Sequence, residues 1–278
     1  MANAKYRNLL YSMDEQGIVT VTFNRPEIKN AMSLWTTLEL YRAFDAAQHD
    51  PAAKAIILTG AKGDAEPSKE AFSSGGYFNP AEMESMSAED RGEIDLEDIA
   101  QKKLCLKLWE IEKPVIAAVN GLAIGGGFTV PLACADLIYM SEHAWARFPF
   151  VRLGIAPELA SSYLFPRYLG MQKAKELFFF GEKLTARELF DLGMVNKVLP
   201  HEELLPYARE QALKLIPPGG AYLSVGWTKR IMHRPLVEAV TAALDRENEC
   251  FKVAFGTEDF MEAITAQIQK REPVFKGK

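Results

Sequence analysis

From Val19 to Phe23 the chain alternates: Val19, Val21 and Phe23 fall on one side and Thr20 and Thr22 on the other. That is the period of a half-buried strand. The stretch 6–13 precedes it across Asp14-Glu15-Gln16-Gly17, so 6–13 and 17–24 are predicted to pair as a hairpin, which Arg25-Pro26 ends. Ser33 is a predicted N-cap for a helix carrying Leu34, Leu38, Tyr41, Phe44 and Ala47 at three-to-four spacing. Residues 55–60 form an unbroken apolar run closed by glycine, the pattern of a strand covered on both faces. A polar loop rich in Gly and Ser follows over 61–80. Helical spacing returns over 94–110 and is broken at Lys113-Pro114. A second buried strand is predicted over 115–119, a buried helix over 128–135 and a strand over 137–140.

Strands alternating with helices predict an α/β fold with a mainly parallel sheet. The pattern changes after about residue 199. Residues 201–216, 222–233, 236–255 and 258–271 all have helical spacing, interrupted by Pro217-Pro218-Gly219-Gly220. The expected organisation is an α/β core over 1–200 and a helical region over 201–278. A length of 278 residues accommodates either one large domain or two ordinary ones.

Composition narrows the function. The net charge is -5, and no Lys/Arg run exceeds two residues, so nucleic acid is not the expected partner. Three widely spaced cysteines (Cys105, Cys134, Cys250) make neither a disulfide framework nor a zinc site and fit a reducing compartment. No leader pattern, membrane span or peroxisomal address is legible. A cytoplasmic protein with no membrane partner is expected.

Two glycine turns and one acid carry the candidate chemistry. Gly75-Gly76 follows the first buried strand and its loop; Gly125-Gly126-Gly127 follows the second. Glycine lets backbone N–H groups approach a ligand closely, which suits an anion or oxyanion site. Either turn alone is read equally well as tight packing. Neither has the G-x-G-x-x-G pattern of a dinucleotide site. The third feature is Glu158, set in the uncharged stretch 153–165. A carboxylate among apolar neighbours holds its proton more tightly, as a general base near neutral pH requires. Taken alone, it reads as a helix-start acid facing the macrodipole.

Together these segments resemble the crotonase, or enoyl-CoA hydratase/isomerase, superfamily over nearly the whole chain. The matching pieces include Asn24-Arg25-Pro26 with Asn30-Ala31, Phe72-Ser73-Ser74-Gly75, Lys113 to Gly121 running into the triple glycine, Leu192-Gly193-Met194-Val195, and Lys270-Arg271-Glu272-Pro273-Val274-Phe275. The resemblance implies a crotonase (ClpP-like) spiral of βαβ units with a helical C-terminal region that assembles the chain as a homotrimer or hexamer. It further implies an acyl-CoA substrate, with no metal and no other cofactor. The N–H groups of Gly76 and Gly126 (or Gly127) would form an oxyanion hole. Arg25, Asn30, Ser74 and Lys270 would contact coenzyme A.

Hydratases of the superfamily carry two glutamates. By resemblance these fall at Thr129 and beside Val151-Arg152, and a one-residue shift of register brings no acid to either place. Glu158 matches the single glutamate of the Δ3,Δ2-enoyl-CoA isomerase branch, within Ala156-Pro157-Glu158-Leu159-Ala160-Ser161-Ser162. The expected reaction is therefore the shift of a double bond from 3-enoyl-CoA to 2-enoyl-CoA through an enolate. Alternatives are an enoyl-CoA hydratase or other thioester-enolate chemistry, a nucleophilic Glu158, a Clp-type protease using Ser74, and a crotonase-fold interaction protein. His143 and His201 are read as surface and helix-start residues, Asp136 as structural, and Glu82 and Glu84 as a solvated face.

Overall fold

The computed structural model describes residues 6–77 and 80–278; residues 1–5, within the stretch searched for a leader, and 78–79, in the 61–80 loop, lie outside them. The hairpin is β1 (Leu9–Met13) against β2 (Ile18–Phe23), antiparallel, with Asp14 Oδ1 accepting the N–H groups of Gln16 and Ile18 across the turn. Ser33 caps α1 (Leu34–His49) through the Thr36 N–H. β3 (Ala55–Gly60) is buried at every position, as its unbroken apolar run predicts. β4 (Ala71–Ser73) lies inside the expected polar loop. Next come α2 (Pro80–Glu84), α3 (Ala88–Glu93), α4 (Lys102–Glu110), β5 (Val115–Val119) and β6 (Leu122–Ile124). The chain continues through α5 (Gly126–Cys134), β7 (Leu137–Ser141), β8 (Trp145–Arg147), α6 (Ser161–Leu169), α7 (Met171–Phe180), β9 (Leu184–Thr185), α8 (Ala186–Asp191) and β10 (Lys197–Leu199). It ends in α9 (Leu204–Leu215), α10 (Tyr222–His233), α11 (Val237–Ala254) and α12 (Glu258–Gln269).

Two sheets result. The larger has the order β1-β2-β3-β5-β7-β10 and is parallel from β2 onward. The smaller has the order β4-β6-β8-β9, with β4, β6 and β8 parallel. Each turn of chain lays one strand in the large sheet and the next in the small one: β3 then β4, β5 then β6, β7 then β8. That repetition is the expected spiral.

The apolar core fills the space between these sheets and α1, α4, α5 and α6, and a second cluster forms where Leu204, Ala208 and Ala212 of α9 cover the large sheet. The two buried lysines, Lys113 and Lys229, are held by acceptors. The Lys113 ammonium donates to the carbonyls of Ala47 and Asp50 at the end of α1, 2.5 and 2.6 Å away. Asp136 accepts the Val115 N–H at 2.7 Å and pairs with Lys229 at 2.9 Å, the structural role read from sequence.

Helix is absent over 94–101, where the spacing predicts it. Asp98 accepts the N–H groups of Lys102 and Lys103 and Asn248 binds Asp98, so the segment closes into turns and α4 starts at Lys102. Side-chain capping outcompetes an amphipathic pattern there. Glu82 departs from its reading as well. It is 7% exposed and pairs with Arg25 at 2.5 Å.

Candidate active site

The small sheet explains how three distant segments meet. β4 pairs β6 in register Ser73↔Ala123, and β6 pairs β8 in register Ile124↔Arg147. The loops leaving β4, β6 and β8 therefore emerge side by side: Ser74-Gly75-Gly76, Gly125-Gly126, and the segment reaching Glu158.

Gly75 makes the first turn possible. Its φ is +85°, and a Cβ there would collide with the Ile124 carbonyl while lying 3.4 Å from the Gly126 nitrogen. Only glycine meets both demands. The Met32 N–H donates to the Gly75 carbonyl at 2.8 Å, and the Tyr77 N–H donates to the Met32 carbonyl at 2.8 Å, so the loop through 25–32 clamps the turn from outside. Gly76 is exposed, and among the described residues no backbone acceptor takes its N–H. Gly126 opens α5, so its N–H is one of the free donors at a helix N-terminus. It is aimed at the Glu158 carboxylate.

A Cβ placed on Gly126 would lie 2.7 Å from the Met32 Cε and 3.0 Å from Glu158 Oε1; one on Gly125 would lie 3.8 Å from the Phe150 ring and 3.9 Å from Glu158 Oε1. The carboxylate thus sits against the glycine turn with methionine and phenylalanine around it. Its pKa is pushed up to about 7, first by burial and then by the negative charge of Glu247, with the Gly126 N–H pulling the other way. A carboxylate that can be either protonated or ionised at neutral pH can accept a proton and give it back.

The loop that presents Glu158 is unusual. Leu159 and Ala160 both have positive φ, 54° and 57°, which side chains other than glycine rarely adopt. Three contacts hold it: the Leu159 N–H to the Ala100 carbonyl at 3.0 Å, the Ala160 N–H to Glu247 Oε2 at 2.9 Å, and the Ser162 N–H to Glu247 Oε1 at 3.0 Å. α6 has no side-chain cap of its own. Glu247, from α11, is the acid at that helix start, the place the sequence reading offered Glu158.

The other expected residues fall out as follows. Asn30 is 1% exposed; its amide donates to the Ala61 and Ala71 carbonyls at 2.9 and 2.7 Å, and its oxygen accepts the Arg25 N–H at 2.8 Å. The side chain is thus engaged in shaping the loop. Ser74 sits on the same loop cluster, its N–H on the Lys29 carbonyl at 2.9 Å. Arg25 joins them but is paired with Glu27 and Glu82. Lys270 ends α12 and is exposed. Thr129 is fully buried, its hydroxyl on the Gly125 carbonyl at 3.3 Å. Arg152 pairs with Glu272 at 2.7 Å on the surface. His201 bridges Glu70 and Ser141 at 3.2 and 3.0 Å, a network at the end of β7.

Residues 13–278 match the family described as enoyl-CoA hydratase/isomerase. The chain belongs to the crotonase superfamily. It is 33% identical to a crotonyl-CoA hydratase of Syntrophomonas wolfei, over 98% of this chain and 99% of that one. It is 34% identical to a short-chain-enoyl-CoA hydratase of Clostridium acetobutylicum, over 94% and 95%. The crystal structure of an enoyl-CoA hydratase/isomerase from Pseudoalteromonas atlantica superposes with a TM-score of 0.82 at 30% identity, covering 97% of this chain and all of that one. The crotonase spiral and enoyl-CoA chemistry follow from this membership. Both of these relatives are named hydratases. No described helix is long and apolar enough to cross a membrane.

Half-buried Arg152, beside which the resemblance puts a hydratase acid, is paired with Glu272. Arg152→Ala is expected to leave turnover and stability near wild type, since an exposed ion pair contributes about 0–1 kcal/mol. Steady-state rates and a thermal melt check this; a large loss of turnover would assign Arg152 to the substrate.

Proposed function

We propose that the chain binds an acyl-CoA thioester at the mouth of β4, β6 and β8 and moves protons through Glu158, shifting the double bond of 3-enoyl-CoA to 2-enoyl-CoA. The observation that carries this is the single carboxylate against the Gly126 N–H, with buried Thr129 and surface-paired Arg152 where hydratases have acids. On substrate binding the Gly126 N–H passes from the Glu158 carboxylate to the thioester oxygen, where with the Gly76 N–H it stabilises the charge of the enolate. Glu158 takes a proton from C2, leaving the enolate, and returns it at C4. Glu247, the second carboxylate whose charge bears on Glu158, is 3% exposed and has both oxygens on backbone N–H groups, an arrangement that holds a loop rather than a water. Arg25 and the Ser74 turn lie toward the coenzyme A phosphates, with Lys270 serving from a neighbouring subunit.

The second reading is hydration of 2-enoyl-CoA, favoured by the names of the curated relatives. Incubation with 3-enoyl-CoA and with 2-enoyl-CoA, followed by conjugated enoyl absorbance, separates the two. A rise on the first supports isomerisation; a fall on the second supports hydration. Assembly as a trimer or hexamer through the region after about residue 200 completes the proposal. The exposed Leu223, Trp227 and Ile231, four residues apart along α10, suit such an interface. Mass measurement in solution tests it.

A further inference from the structure

Glu247 is an acid in an apolar stripe. Val240, Ala243, Leu244, Glu247 and Phe251 are the buried residues of α11, at three-to-four spacing, and Glu247 is 3% exposed. Its two oxygens reach across to a segment 85 and 87 residues away and accept the N–H groups of Ser162 and Ala160. The next residue, Asn248, accepts the Ala100 N–H at 2.7 Å, while the Ala100 carbonyl accepts the Leu159 N–H. Two adjacent residues of one helix therefore fix, directly and through Ala100, three of the four residues that follow Glu158: Leu159, Ala160 and Ser162. Without those acceptors, the consecutive positive-φ residues Leu159 and Ala160 have little reason to keep a backbone conformation that side chains rarely adopt.

We infer that Glu247 is the positioning residue of the Glu158 base, holding its loop by both carboxylate oxygens. This rests on the reading of Glu158 as the base. Glu247 does not touch the glycine turns and is not itself a base for substrate. The charged and titratable groups around it are Glu158 on the loop, Cys105 on α4 and Arg246 on its own helix, with Asp98 reached through Asn248. Burial also raises the Glu247 carboxyl to about 7, while the N–H groups of Ala160 and Ser162 hold it down. Two such groups titrate as a pair. The negative charge on Glu247 lifts Glu158, so removing it lowers Glu158.

Two conservative variants separate charge from reach. Glu247→Gln keeps the length, loses the charge and turns an NH2 donor toward a backbone N–H. Its kcat should fall about 10- to 100-fold with KM little changed, and the acid limb of the rate profile should move down by up to about one pH unit. Glu247→Asp keeps the charge and falls one methylene short, so kcat should fall while the limb moves far less. If Glu247→Gln does not fold, by circular dichroism, Glu247→Asp alone decides through the split between kcat and KM. Wild-type kcat and an unmoved limb in Glu247→Gln would overturn the inference. So would a lower melting temperature with an unmoved limb, which is what a merely structural acid would give. Glu158→Gln is run alongside on whichever enoyl-CoA the enzyme turns over. Full activity there defeats the underlying reading; an inactive Glu158→Gln beside a normal Glu247→Gln defeats only the positioning role.

Discussion

Glu158→Gln is expected to lower turnover of the enoyl-CoA substrate by about 10²-fold or more while acyl-CoA affinity changes little. Glutamine matches the carboxylate in volume and keeps an oxygen for the Gly126 N–H, but it cannot take a proton. The same substitution should stabilise the protein above neutral pH. The Glu158 carboxyl is raised from 4.5 to about 7 in the fold. A raised carboxyl contributes stability that is fully present below pH 4.5 and lost as pH rises through about 7, because burial penalises the ionised form. Glutamine never ionises. The melting temperature of the variant should therefore rise relative to wild type across pH 4.5 to 7 and hold its gain above, by an amount of order 1 kcal/mol or more. Wild-type activity should follow the opposite course, climbing with pH through about 7 as the base deprotonates. Stability and rate curves on one pH axis test both together. An activity that survives in Glu158→Gln, or a variant no more stable at pH 8, would remove Glu158 from the chemistry.

What the chain revealed in advance, and what it hid, divides along physical lines. The buried strands β3 and β5, the α1 cap and the late helices are legible because local pattern and tertiary demand agree. The three site segments were legible too, since glycine at a tight approach and an acid in an apolar stretch are unusual for definite reasons. β4 and β6 were not. They are three residues each and sit beside polar turns, so no period could develop, and it is their pairing that brings Gly75 against Gly126. Glu247 was hidden in a different way. Its signal was present as an acid in phase with Val240, Leu244 and Phe251, but a single charge in a helical stripe does not say which distant loop it will cap. Asn30 proves to be a loop-shaping amide, and Glu82, read as a solvated acid, is the buried partner of Arg25.

Gly126→Ala is expected to cost about 10²-fold in kcat/KM with a nearly normal melting temperature. Gly126 does not occupy positive φ, so alanine fits its backbone, and as the first residue of α5 it even gains in helix propensity. The added methyl would lie 2.7 Å from the Met32 Cε, the far end of a flexible side chain that can swing aside. It would also lie 3.0 Å from Glu158 Oε1, and that contact cannot relax so cheaply, because the Glu158 loop is held by Ala100 and Glu247. The base must move by some tenths of an ångström, or the methyl must occupy the space meant for the thioester oxygen. Misplacement on the scale of 1 Å costs roughly 10² in rate. Gly76→Ala is the matched control. Among the described residues a Cβ there meets nothing within 4 Å and its φ is ordinary, so the N–H stays in place and any loss should be smaller than in Gly126→Ala. Equal losses in the two variants would mean the methyl acts by perturbing the glycine turns generally. Full activity in Gly126→Ala would place the thioester elsewhere than against Gly126 and Glu158.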